Sequence, residues 1–295
     1  MAAANKAYEV ITKRIIELLE QGTVPWRKPW IDGPASRSYA GRSYRGINQL
    51  LLSAEAGFRG LRGCWITYNQ AKKAGGSVKK GAKGVPVVLW KWMERKNEDD
   101  DETSGKSFPF CRYYTVFSIC QTEGIEEPAW VDKLIKRDVQ VDPIEAAEAI
   151  WDGYENRPLL TTGGDRAAYV PGTDQIMMPD RDRFDSSEAF YNTFFHEVTH
   201  STGHPRRLGR SSADTWAKFG SESYSREELV AEMGAVFLAS EAGIVTDGLT
   251  ENTAAYIKSW IRALKNDPRM VVIAASQAQK AVDLILGNSI DVAVP

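Results

Sequence analysis

His196-Glu197-Val198-Thr199-His200 places two imidazoles four residues apart. On a helix that spacing stacks them one turn apart on one face, where both reach a single metal ion. Glu197 is rotated from His196 by about 100°, so it stands beside the ion rather than on it. There it can take a proton from a metal-activated water. His196, His200 and His204 are the only histidines of the 295 residues, and they fall within nine positions. The pattern is that of a zinc peptidase centre.

A chance His pair on a packed helix would lack the context found here. Asp185 can start a helix, with Glu188 three residues on as in a capping box. Phe190, Phe194 and Val198 form a stripe at helical spacing that faces a core, and Gly203 and Pro205 stop the helix. A catalytic zinc needs a third protein ligand and one open position. A third histidine at metzincin spacing would stand at Arg206, so that pattern fails. His204, just past Gly203, reads as an outer, substrate-side or loop-stabilising residue. The other source is a carboxylate on a later helix, predicted over 224–241 with Leu229, Met233, Val236 and Phe237 as its apolar face. Glu228 and Glu232 lie one turn apart on it. This spacing resembles the glutamate-zincin arrangement, which assigns Glu228 to the metal and Glu232 to the orientation of a ligand histidine. Glu227 is the weaker candidate for the metal. Tyr224 and His204 are candidates to donate to the oxyanion. Zn2+, one per chain, is the expected ion, and Mn2+ or Co2+ also suits a mixed nitrogen and oxygen site.

Charge is sorted along the chain. Residues 1–96 hold 18 Lys+Arg against 6 Asp+Glu, a net of +12, while the whole chain is at −2. Such asymmetry predicts two domains with different partners, the basic one facing a polyanion. Three scattered cysteines (Cys64, Cys111, Cys120) make no disulfide framework and suit a reducing, cytoplasmic compartment. The first residues lack a secretory pattern, and no apolar run reaches membrane-span length, so no membrane partner is expected.

The basic part is also aromatic. Trp26, Arg27, Lys28 and Trp30 alternate between prolines; Arg42, Tyr44, Arg45 and Asn48 follow; then come Trp65, Tyr68, Lys72, Lys73, Lys79, Lys80 and Lys83 among glycines. Rings offer stacking surfaces to unpaired bases and the cations track phosphates, which describes single-stranded DNA better than a duplex. The pattern predicts helices over 6–21, 47–56, 143–155, 250–266 and 270–286. Strands are expected over 65–68, 85–93 and 108–120. A hairpin over 167–171 and 175–179 would offer its second strand as the edge that aligns a peptide. The acidic run 97–105 would be a hairpin tip. The expected architecture is α+β in two domains: a DNA-binding domain over 1–125, a linker over 126–142 and a zincin-like domain over 143–295.

Leu19-Glu20-x-Gly22-x-x-Pro25-Trp26-x-x-Pro29-Trp30, Tyr44-Arg45-Gly46-Ile47-Asn48, Trp65-x-Thr67-x-x-Gln70-Ala71 and Lys79-Lys80-Gly81-x-Lys83-Gly84, followed by the His196–Pro205 and Glu228–Glu232 segments, resemble the ArdC-type antirestriction proteins of conjugative plasmids. The resemblance covers nearly the whole chain. It implies a single-stranded-DNA-binding domain, a metallopeptidase-like domain, and a role in helping incoming DNA escape restriction. A protein substrate would then be met near DNA, such as a restriction-enzyme subunit. Two other readings stand beside it: a general or toxin-like cytosolic zinc peptidase docked to nucleic acid, and a strand-coating protein with an inactive zinc site.

Overall fold

The computed structural model describes residues 2–26, 36–94, 107–131, 143–210, 222–244 and 253–290. In the amino-terminal half, α1 (Ala2–Glu20) buries Ile11, Ile15 and Leu18, the apolar stripe of an amphipathic helix. Helix α2 (Gly46–Arg59) runs past Gly57 and ends at Gly60, whose left-handed backbone (φ 61°) closes the helix onto the Ala56 carbonyl. A left-handed C-terminal residue is what selects glycine there.

Strand β2 (Cys64–Thr67) stops because Thr67 caps the next helix, α3 (Tyr68–Lys73), in a reciprocal box with Gln70. The main sheet has the order β1 (Arg37–Ser38), β2, β5 (Ser107–Ser118), β4 (Val85–Glu94). A two-stranded ribbon of β3 (Ser77–Val78) and β6 (Thr122–Glu123) lies beside it. The Asn48 amide both donates to the Val88 carbonyl and accepts from the Val88 N–H, each at 2.8 Å, so it docks α2 on β4 as an extra rung of the ladder. The acidic run lies outside the described residues.

The carboxy-terminal half starts with α4 (Pro143–Gly153) and a three-stranded sheet of order β7 (Leu159–Thr162), β9 (Gln175–Met178), β8 (Ala168–Val170). The predicted hairpin is β8–β9, but β9 is not its open edge. It is paired on one side with β8 and on the other, in parallel, with β7. The edges of this sheet are therefore β7 and β8. Among the described residues four α-helices follow: α5 (Ser187–Ser201), α6 (Glu222–Ala242), α7 (Thr253–Asn266) and α8 (Met270–Ile285). The cap of α5 is Ser186, which accepts from the Ala189 N–H, one residue after the predicted Asp185.

The two halves share one buried apolar cluster. Trp26 meets Trp260 of α7 edge-on at 5.9 Å. Gln279 of α8 accepts from the Gly46 N–H at 3.1 Å, and Arg45 pairs with the buried Asp283 of α8. The start of the predicted linker is packed rather than loose: Trp130 donates to the Tyr39 carbonyl and Arg62 pairs with Glu127. Residues 132–142 lie outside the described residues. No helix among the described residues is long and apolar enough to cross a membrane.

Candidate metal centre and basic face

Helix α5 carries His196 and His200, and α6 crosses it closely enough to bring Glu228 to both. The approach depends on Gly234, where an added Cβ would stand 2.4 Å from Cγ2 of Thr199, the residue before His200. Thr199 is itself fully buried and its hydroxyl is turned back onto the Phe195 carbonyl. The facing glycine thus lets the backbones meet where the ligands must converge. His196 Nε2 lies 3.0 Å from His200 Nε2, and the Glu228 carboxylate oxygens lie 3.6 and 3.5 Å from the two rings. The three donors fall within 4.8 Å of one another, the only such group among the described residues. Two imidazole nitrogens and one carboxylate oxygen on one centre are a donor set that could hold a divalent metal ion.

The electrostatics point the same way. Burial opposes charge on His200, but the Glu227 and Glu228 carboxylates outweigh it and hold the ring at about 10. Burial likewise raises Glu228, and the two imidazoles bring it well below the usual carboxylate range. The centre is an acidic pocket that favours a cation.

Around His200 the structure places a partner that sequence ranked low. The Glu227 carboxylate lies 3.6 Å from His200 Nδ1, on the ring's side away from Glu228. Arg210 holds it at 2.9 Å and also donates to Thr202 Oγ1 and the Thr199 carbonyl. Arg210 and Glu227 are both under a tenth exposed. Glu227 thus forms an ion-pair contact with the Nδ1 side of His200, with an arginine behind it. Burial raises Glu227, and Arg210 first and then His200 bring it down. Glu232, half-buried, lies one turn further along α6.

Glu197 is buried, and its carboxylate accepts from the Tyr169 main-chain N–H at 2.6 Å. Tyr169 lies on β8, so that edge of the sheet faces α5. A buried arginine fixes that edge: Arg207 donates to the Ser201 carbonyl at the end of α5, and its guanidinium is paired with Asp174 in the β8–β9 turn. The Tyr169 hydroxyl donates to the same Asp174 at 2.9 Å. Neither Arg207 nor Asp174 has a spacing that sequence could have flagged. His204 is half-buried in the turn after α5 and its Nδ1 accepts from the Arg206 N–H. Tyr224 falls within α6, and its side chain lies outside the described residues.

A family model described as zincin-like metallopeptidase matches residues 145–277, and one described as the N-terminal domain of anti-restriction factor ArdC matches residues 5–117. Two crystal structures of the antirestriction ArdC protein from the R388 plasmid are 38% identical to this chain. The metal-free one aligns with a TM-score of 0.72 over 94% of this chain and 96% of that one, and the Mn(II)-bound one with 0.73 over 95% and 97%. The chain belongs to the ArdC antirestriction family. It is also 38% identical over 304 residues to the DNA primase TraC of Escherichia coli, but spans only 28% of that protein. A Mn(II) ion in an ArdC relative and the donor set here agree on a divalent metal.

In the ArdC-like amino-terminal half the structure sorts the predicted DNA contacts. Trp26 and Trp65 are fully buried, Trp26 against Trp260 and Trp65 donating to Ser36 Oγ at 3.2 Å. They are core residues with no face for a base, which corrects the expectation that they stack on one. Asn48 is spent on β4, Tyr44 is half-buried, and Arg45 is held by Asp283. Arg42, Lys72, Lys73, Lys79, Lys80 and Lys83 are exposed. Arg27, Lys28 and Trp30 lie outside the described residues. Tyr68, the other aromatic of that run, has an exposed ring.

Proposed function

We propose that this chain protects incoming plasmid DNA by binding it as a single strand and hydrolysing a peptide bond in a protein met there. The observation that carries the hydrolytic half is Glu197, a buried carboxylate on the ligand helix that a purely structural metal would not require. His196, His200 and Glu228 would hold the ion, Zn2+ in this reading, with Mn2+ or Co2+ as alternatives. When bound, the ion polarises the scissile carbonyl and acidifies a water.

Glu197 takes the proton of the attacking water as its oxygen bonds to the carbonyl carbon. It then returns a proton to the amine as the C–N bond breaks. Glu227 and Arg210 hold the His200 ring in register. An extended peptide would lie along the β8 edge, whose Tyr169 N–H donates to the base. His204, with Nδ1 accepting, has Nε2 left to donate to the oxyanion, and Tyr224 is the second candidate. The exposed lysines of the amino-terminal half would bring the strand, by charge.

The test is transfer of a restricted plasmid into a restricting recipient with the wild-type chain and with Glu197→Gln. Metal content and oligonucleotide binding are first shown equal. Loss of protection by Glu197→Gln supports hydrolysis. Full protection by it leaves the DNA-binding half as the whole activity and overturns the peptidase reading.

A further inference from the structure

With Trp26 and Trp65 in the core, the stacking surface of the strand-binding face must be found elsewhere. Tyr68 is 49% exposed at the start of α3. The Lys72 ammonium, one helical turn on, stands 5.2 Å from the centre of its ring.

Sheet register puts the start of α3 and the end of the lysine loop, residues 79–84, at one level of the sheet. Thr67 of β2 and Val85 of β4 both pair with Val116 of β5, from opposite sides. Two strand spacings separate them, about 10 Å. Tyr68 directly follows Thr67 and Lys83 precedes Val85 by two residues, so both segments start from one level of the sheet, and α3 packs against β3, from which the lysine loop continues.

The loop is held in place. Arg59 and Gln121 both donate to the Lys83 carbonyl, at 2.8 and 3.1 Å, and the Lys79 ammonium donates to the Cys120 carbonyl at 3.0 Å. Gly84 lies so close to β5 that a Cβ there would stand 2.3 Å from Thr115 Cγ2. The far side of α3 is fixed in the same manner, since a Cβ on Gly76 would stand 2.3 Å from Ile125 Cγ1. Lys72, Lys73, Lys80 and Lys83 are thereby presented to solvent from a rigid support.

A cation-flanked ring on a fixed basic ledge matches what an unpaired base and its phosphates need, and a duplex has no free base face to offer it. We propose that Tyr68 is the base-stacking platform of the DNA path, with Lys72, Lys80 and Lys83 as its phosphate contacts. This rests on the reading that the amino-terminal half binds single-stranded DNA.

The experiment is fluorescence anisotropy with labelled oligo(dT) and with an abasic oligomer of equal length. The proteins are wild type, Tyr68→Ala, Tyr68→Phe and Lys80→Met, with folding checked by circular dichroism. Tyr68→Ala should weaken oligo(dT) binding about 5- to 150-fold and leave abasic binding unchanged, and Tyr68→Phe should restore it. Lys80→Met should weaken both oligomers and lower the salt slope by about 0.7. Unchanged oligo(dT) affinity in Tyr68→Ala overturns the proposal, as does an equal loss on the abasic oligomer. Failure of the wild type to bind oligo(dT) is a separate result that overturns the underlying reading and this proposal with it.

Discussion

The metal centre and the basic face use charge in opposite ways. At the centre, His200, Glu227 and Arg210 are each nearly or fully withdrawn from water and each is held by the next. On the basic face, Lys72, Lys73, Lys80 and Lys83 stand in solvent on a backbone that is fixed. Buried charge is strong and local because little solvent screens it, whereas exposed charge is weak singly and acts in sum. One side chain should therefore matter greatly at the centre and little on the face.

The sharpest way to break that contrast is to remove a ligand. His200→Ala or Glu228→Ala should lower Mn(II) or Zn(II) affinity by more than the roughly 10- to 100-fold expected for an outer partner, read by calorimetric titration. Arg210→Met comes next. It strands the Glu227 carboxylate in the interior, which costs about 3–5 kcal/mol in stability, read by denaturant unfolding. It should also weaken metal binding about 10- to 100-fold through the loss of His200 orientation. Metal affinity unaltered by Arg210→Met would reduce Glu227 to a packing residue.

The same contrast explains what sequence could say. His196, Glu197 and His200 were legible because their geometry is set within one helix, where four residues make a turn. Glu228 was legible as a carboxylate on a second helix. Glu227 was ranked low because its role depends on how α6 is rotated against α5. The Gly234–Thr199 contact, and an arginine arriving from beyond α5, decide that rotation. On the basic face the failure is different in kind. Trp, Arg and Asn serve equally in cores and in DNA contacts, and exposure is settled by partners far along the chain. Trp26 is covered by Trp260, and Arg45 is met by Asp283. The α+β class and most of the helices followed from periodicity. Strand β7 was missed because four residues, Leu159–Thr162, carry no alternating pattern, and with it went the central place of β9 in the sheet.

A smaller effect is expected at the clamp on the β8 edge, and it depends on pH. Burial raises the Asp174 carboxyl, but Arg207 and the Tyr169 hydroxyl outweigh it and hold it below its ordinary value. A lowered carboxyl stabilises the fold above the unfolded-state value, and that share is lost as pH falls through the lower folded-state value. Asp174→Asn should therefore cost about 1.5–3 kcal/mol near neutral pH, with the difference from wild type shrinking on acidification below about 4. A penalty independent of pH would mean that shape rather than charge fixes the hairpin.

The smallest effects separate two neighbours in type. Lys79 is exposed, yet its ammonium is engaged by the Cys120 carbonyl. Lys73 stands at the end of α3 without such a tether among the described contacts. If the lysines act on DNA as a summed field of untethered ends, Lys73→Met should lower the salt slope of oligo(dT) binding by about 0.7. Lys79→Met should leave that slope unaltered and cost about 0.5–1.5 kcal/mol of stability instead. Equal slopes lost at both positions would show that the strand reads net charge alone. The rigid ledge would then matter only for where it puts Tyr68.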